Sequence, residues 1–381
     1  MAKEKFEARR LTGNVRVTCK YEDGTQRIWE EDKEVVVSRI IQIVNAYSTE
    51  GYTLTLRQLH YQLVARNWIV NHDSAYKKLG DILDDCRYCG AIDWGAVEDR
   101  GRVPYIPYSL KDATHAMQDA IDTFRINRQE GQNNCVELWT EKDALSGILQ
   151  RTTIKYHIQL VVNKGYTSSS AIYRSYRRAL EAIKAGRKMT ILYFGDHDPS
   201  GLDMVRDIRE RLLFMLSKGG SLMYDDDFVK GILEWWNEEQ HDIYDLVREE
   251  YAPEKILKLL NEDNEDYADL FEAARIRWYL QEKDLFRVVP IGLTKEQIRE
   301  FNLPPNPTKL TDSRAADYIR HHGRTCWEVD ALDPQTLTRI VEENVTNEID
   351  LDKYHAALER EDAEQTKLQA FYDKLKDDEA E

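Results

Sequence analysis

Residues 189–204, MTILYFGDHDPSGLDM, restrict the fold more than any other stretch. The β-branched and aromatic run Met189 to Phe194 has the composition of a strand buried on both faces, the pattern of a covered parallel sheet. It gives way at Gly195 to Asp196-His197-Asp198-Pro199-Ser200-Gly201, and a helical pattern starts at Leu202. Asp196 and Asp198 are two residues apart, so in an extended segment both carboxylates point the same way. Adjacent carboxylates repel unless a cation lies between them, and an all-oxygen pair suits Mg²⁺. The alternative is local: Asp196 caps the next helix and Asp198 opens the turn at Pro199.

Two further stretches repeat this design. CVELWTEKDALS (135–146) reads as a buried strand that ends at Glu141-Lys142 and enters a helix. IQLVVNKGYTSSSAIYRSYRR (158–178) reads as strand, Gly165 turn and helix, and LFRVVPIG (285–292) as a strand that returns to the same sheet. Such repetition predicts βαβ units and a parallel sheet. Functional groups of such sheets gather beyond the carboxyl ends of the strands, where Glu141, Gly165, Asp196 and Asp198 fall.

Upstream, residues 14–30 alternate around Asp23-Gly24 and predict a hairpin, an arm for a neighbour or DNA or a small sheet added to the next unit. Three helices follow: 33–49, with Val35, Val36, Ile40, Ile41 and Val44 apolar; LRQLHYQLVARN, capped by Thr53 or Thr55; and AYKKLGDILDDCRYC, capped by Asp73-Ser74. With AIDWGAVEDRGR as a strand pair or wing, the set reads as a winged helix or a small helical bundle. On the second helix Leu56, Leu59, Leu63 and Val64 form the core stripe, while Arg57 and Tyr61 share another face.

The net charge of −16 looks wrong for a protein that meets nucleic acid, but its distribution matters more than its sum. Residues 225–272 carry 17 acidic against 4 basic side chains and 342–381 carry 14 against 5, whereas 151–190 carry nine basic and one acidic. A phosphate backbone responds to the local sign, so DNA remains compatible with the acidic total. Five cysteines in 381 residues fit a reducing cytoplasm, and Cys86-x-x-Cys89 has no second pair to complete a zinc site. No apolar run approaches 18 residues, so the expectation is a cytoplasmic, nucleoid-associated protein without membrane contact.

Glu141-Lys142, Lys164-Gly165-Tyr166 and Asp196-x-Asp198-Pro199-x-Gly201, in this order, resemble the Toprim domain of the topoisomerase VI A subunit and meiotic double-strand-break protein family. Arg57-Gln58-Leu59-His60-Tyr61 resembles the R-x-x-x-Y motif on which that family carries its DNA-cleaving tyrosine, and CWEVDAL (326–332) its acidic-x-acidic-Ala-Leu element. The likeness spans about residues 35–335; Thr167 stands where the family often has Pro and Ser200 where an aromatic is usual, which marks a divergent, stand-alone member.

The resemblance implies an α/β and α+β multidomain chain. Its parts would be a hairpin arm (1–32), a winged-helix domain with Tyr61 (33–104), a linker helix (105–133), a Toprim-like domain (134–335) with an acidic helical insertion at 222–285, and an acidic helical tail (336–381). Tyr61 would attack DNA and become joined to a 5′ phosphate, with Arg57 on the scissile phosphate and Glu141 assisting proton transfer. Glu141, Asp196 and Asp198 would hold Mg²⁺, Glu328 and Asp330 would border the metal or cap a helix, and Lys164, Arg174, Arg177 and Arg178 would contact the backbone of double-stranded DNA.

In this family the tyrosine of one subunit works with the metal site of the other, which implies a homodimer. No G-x-x-x-x-G-K-[ST] occurs, so strand passage would need a separate ATPase subunit. Two other readings fit the same residues: a Toprim nuclease that uses metal and water, with Tyr61 a bystander, and a DNA-binding dimer that does not cleave.

Overall fold

The structure is a computed structural model, described here for residues 9–21, 24–98, 107–163, 165, 167–217, 222, 225–241 and 267–378. The predicted hairpin forms from β1 (Asn14–Lys20) and β2 (Gln26–Asp32), which pair antiparallel with Asn14 opposite Asp32. Val15, Cys19 and Trp29 point to one side and pack on Val36 and Ile40 of α1 (Lys33–Thr49), so the hairpin is a small sheet added to the helical unit. The buried stripe of α1 also takes in Val37, Ile43 and Tyr47, whereas Val35 is exposed. Gly51, at φ +75°, turns the chain beyond the helix in a left-handed conformation that a side chain would resist.

Next come β3 (Leu54–Thr55), α2 (Leu56–Ala65), α3 (Asp73–Tyr88) and β4 (Val97–Glu98). Two details differ from the sequence expectation. The cap of α3 is His72, whose Nδ1 accepts from Ser74 N at 3.1 Å, because the helix already begins at Asp73. The strand after α3 is not half of an antiparallel wing: β4 runs parallel to β3, with Leu54 opposite Val97 and both side chains buried in the unit's core. Before β4, Trp94–Ala96 of that predicted wing form a 3₁₀ turn, while residues 99–102, and Asp23 in the hairpin turn, lie outside the described residues. Cys86 is buried and Cys89 half-buried as free thiols, with no disulfide between them.

Beyond α4 (Ala113–Thr123) in the expected linker, β5 (Asn134–Thr140), α5 (Ser146–Tyr156), β6 (Gln159–Val162), α6 (Ser169–Lys184), β7 (Lys188–Phe194) and α7 (Pro199–Ser217) alternate as predicted. α8 (Asp226–Glu238) and α9 (Tyr267–Glu282) belong to the acidic insertion, whose residues 242–266 lie outside the described set, and β8 (Phe286–Gly292) returns to the sheet. All four strands are parallel, in the order β6-β5-β7-β8. Successive side chains serve opposite faces: Trp139, Ile191 and Tyr193 pack with α6, α7, α8 and α9, and Leu138, Leu192 and Phe194 with α5 and α12 (Pro334–Glu348). Trp235, Trp236 and Trp278 fill the first of these cores, as expected of structural aromatics.

Before α12, the chain passes through α10 (Lys295–Glu300), β9 (Asn306–Pro307), α11 (Ala315–His322) and β10 (Thr325–Cys326). The acidic tail forms α13 (Leu351–Asp378) and is docked: buried Glu361 accepts from Ile126 N at 3.1 Å and Arg128 Nη2 at 2.6 Å. No helix among the described residues is long and apolar enough to cross a membrane.

Candidate active site

From its position between β6 and β7, β5 sends its helical connection to β6 on one side, while β7 sends its own to β8 on the other. The carboxyl ends of β5 and β7 therefore flank a topological switch point, the place where open α/β sheets form a crevice. Thr140 and Phe194 are paired across these ends, so Glu141-Lys142 and Gly195-Asp196 leave the sheet side by side. A third segment closes over them: His197 N donates to Trp327 O at 2.9 Å, and Trp327 N to His197 O at 3.1 Å. This bridge seats Glu328 and the 3₁₀ turn Val329–Ala331 on the Asp196 loop.

Lys142 is the hub of the crevice. Its Nζ lies 2.8 Å from Asp196 Oδ2, 3.0 Å from Glu328 Oε2 and 2.6 Å from Asp330 Oδ2, with only 11% of the side chain exposed. Burial pulls the ammonium's pKa down, but the three carboxylates outweigh it and raise it well above its ordinary value. Asp196 also accepts from Val329 N at 2.8 Å through Oδ1. Burial, with Glu141, Glu328 and Asp330 nearby, pushes its carboxyl up to about 8 against the pull of Lys142. Glu141 is hydrogen-bonded to Asp196 and is likewise raised, first by burial.

The local alternative is corrected in its cap: Asp198, not Asp196, caps α7, its Oδ1 accepting from Gly201 N at 2.6 Å, while Asp196 binds Val329 N and Lys142. The Asp-Pro-x-Gly spacing has a steric reason, since a Cβ on Gly201 would lie 2.2 Å from the Asp196 carbonyl oxygen. Gly201→Ala is expected to destabilise the protein by about 1–3 kcal/mol in urea unfolding, because backbone rather than a flexible side chain must yield.

The second helix reaches this crevice from outside the sheet. Thr55 caps α2 through a reciprocal box in which Gln58 N donates to Thr55 Oγ1 at 3.2 Å and Thr55 N to Gln58 Oε1 at 2.9 Å. Leu59, Leu63 and Val64 then face the helical unit's core, and the opposite side meets the turn Val329–Ala331. Thr55→Ala is expected to cost about 1 kcal/mol in the same unfolding measurement. Arg57 Nη2 donates to Glu328 Oε2 at 3.3 Å, and its Nε lies 3.7 Å from Asp330 Oδ2, while 53% of the side chain stays exposed.

Tyr61 is 6% exposed and packs with Leu138, Phe194 and Val329 in the sheet's core instead of the core of its own helical unit. Its hydroxyl is hydrogen-bonded to Glu328. Burial, then Glu328, raise the phenol above its ordinary value, so Tyr61 is neutral at rest. Burial opposes ionisation of Glu328, yet Lys142 and Arg57 hold its carboxyl below the usual range. Neighbouring His60 is buried and pulled down to about 4 by desolvation, hence uncharged at neutral pH.

Four carboxylates (Glu141, Asp196, Glu328 and Asp330) thus meet the cations Lys142 and Arg57, with Asp198 near Glu141. Among the described residues, neither Oδ1 of fully buried Asp330 nor the buried Tyr193 hydroxyl beside Glu141 and Asp196 has a hydrogen-bond partner. The excess negative charge, the unpartnered oxygen and the all-oxygen donors fit a divalent cation. Among the described residues, no group of three or more His, Cys, Asp or Glu side chains is arranged to hold one as it stands. Lys142 occupies the centre of Asp196, Glu328 and Asp330, and Asp198 is engaged with its helix.

The expected DNA contacts divide. Arg174 and Arg177 are exposed on α6, and Lys164 lies outside the described residues. Arg178 is turned inward: its Nη2 donates to Glu137 Oε2 at 3.0 Å and its Nε also binds that carboxylate, which is 1% exposed and takes Trp139 Nε1 at 2.8 Å. Its structural task is to neutralise a carboxylate buried in the sheet. Compared with protein-family models, curated proteins and solved structures, the chain matches none.

Proposed function

We propose that the chain is a topoisomerase VI A-like DNA-cleaving protein, in which a winged-helix unit brings Tyr61 to a Toprim-like sheet. The observation that carries the reading is the meeting of Tyr61 and Arg57 with Glu141, Lys142, Asp196 and Glu328, which come from three separate stretches of chain. A neutral phenol is a weak nucleophile and needs a proton acceptor, and Glu328 is an ionised carboxylate already bonded to it.

In the reaction, Tyr61 Oη bonds to phosphorus and its proton passes to Glu328. The bond from phosphorus to the 3′ oxygen breaks, and a proton from water completes the 3′ hydroxyl. Arg57, half-exposed beside Tyr61, binds the non-bridging oxygens of the scissile phosphate, and Arg174 and Arg177 hold the backbone of double-stranded DNA without reading sequence. Glu141 and Asp196, with Asp198, would hold Mg²⁺, which supplies neutralisation of charge on the phosphate oxygens.

The burial of Tyr61 favours a second reading, a metal-dependent nuclease in which water attacks and the tyrosine only packs. One experiment separates the two. Supercoiled plasmid is incubated with protein and Mg²⁺, stopped with SDS, and divided into samples with and without protease. The covalent reading expects cut DNA that enters the gel freely only after protease, with 5′ ends blocked and 3′ ends extendable by polymerase. Free ends without protease favour hydrolysis, and intact plasmid under all conditions overturns both.

A further inference from the structure

We infer that the cleavage centre is complete within one chain, Tyr61 acting in cis with the carboxylates of its own sheet and held there by the Glu328–Lys142 pair. The inference rests on the reading of Tyr61 as nucleophile and departs from the shared, two-subunit site that the resemblance implies. Its first ground is packing: Tyr61 belongs to the core formed by Leu138, Phe194 and Val329 of its own chain. Its second is polar. The hydroxyl binds Glu328, whose Oε2 also takes Arg57 Nη2 at 3.3 Å and Lys142 Nζ at 3.0 Å.

The helical unit is fixed on the sheet on several sides of the tyrosine. Gln62 Nε2 donates to Leu332 O at 3.4 Å, Gln335 binds Glu50, Asn71 binds Asn306, and the Arg151 guanidinium lies 4.1 Å from the centre of the Tyr52 ring. A partner's tyrosine could enter only after this chain's own had left. That exchange would expose the apolar surface that Tyr61 buries in the sheet's core. Lys142 is therefore a positioning residue that acts through Glu328, the acceptor of the Tyr61 proton.

Subunit mixing tests the inference, with wild-type cleavage as the control for the nucleophile reading itself. Differently tagged Tyr61→Phe and Asp196→Asn chains are co-expressed and the mixed species isolated, with Glu141→Gln replacing Asp196→Asn if that variant does not fold. A site in cis leaves the mixture no more active than either variant alone. A site in trans reconstitutes one centre per dimer and returns nicking to about half the wild-type rate, which overturns the inference while the nucleophile reading stands.

The reverse mixture, wild type with the Tyr61→Phe/Asp196→Asn double variant, is expected to nick at about half the wild-type rate for cis and not at all for trans. A wild type that cuts as a monomer upholds cis directly. Independently of cleavage, unfolding of Tyr61→Phe, Glu328→Gln and their double variant is expected to be non-additive, and equally so across a hundredfold dilution. Additive losses, or coupling that vanishes on dilution, overturn the intrachain contact.

Discussion

Tyr61→Phe is expected to remove protein-linked DNA ends altogether, lowering the cleavage rate by more than about 10³-fold, the scale of losing an activated nucleophile. The substitution deletes one oxygen and keeps the ring that packs on Leu138, Phe194 and Val329, so the fold should survive. Glu328 loses a donor but keeps Lys142 at 3.0 Å and Arg57 at 3.3 Å, which limits the stability loss to about 1 kcal/mol. DNA affinity should change less than about threefold, because backbone contacts supply most non-specific binding. Plasmid cleavage and filter binding on one preparation measure both quantities. Undiminished cutting by Tyr61→Phe, with free ends, would assign the attack to water and leave the tyrosine a packing role.

The sheet was legible because its evidence is local. β5, β7 and β8 are short apolar runs, each ended by a loop, and parallel pairing follows from the helical patterns between them. The carboxyl-edge positions of Glu141 and Asp196 follow from the same pattern. Lys142 was hidden, since a lysine beside a glutamate reads as solvated and its three carboxylate partners lie at 196, 328 and 330. Glu328 and Asp330 offered a helix-capping alternative, but Glu328 makes no side-chain cap bond to its turn and both carboxylates pair with Lys142.

The partner of Arg178 is hard to read from local charge: a basic stretch points to a DNA groove, while the carboxylate it binds, Glu137, stands in an apolar strand. Glu137 inside CVELWT was the missed signal, because a carboxylate in a doubly covered strand must be paired. The parallel pairing of β3 with β4 was illegible for another reason: two-residue strands leave no periodicity to read.

Lys142→Met is expected to lower stability by about 3–5 kcal/mol, the cost of breaking a buried ion pair from one side. Methionine fills the volume but carries no charge, so Asp196, Glu328 and Asp330 face one another with Arg57 alone among them. Arg57→Ala provides the contrast: its side chain is 53% exposed, water screens its pairs, and the expected loss stays below about 1 kcal/mol.

The deficit of Lys142→Met should also depend on pH. Carboxylates left unpaired have folded pKa values raised above the unfolded ones, so the folded protein binds more protons and its stability falls as pH rises. Glu328, held below the usual carboxylate range by Lys142 in the wild type, rises without that ammonium, so the deficit relative to wild type should shrink as pH is lowered from 8 towards 5. Urea unfolding at pH 5, 6.5 and 8 measures it. A deficit that does not change with pH would mean that Lys142 holds the crevice by packing alone. A shrinking deficit identifies charge compensation as its role, which explains why an ammonium stands among three carboxylates drawn from two other parts of the chain.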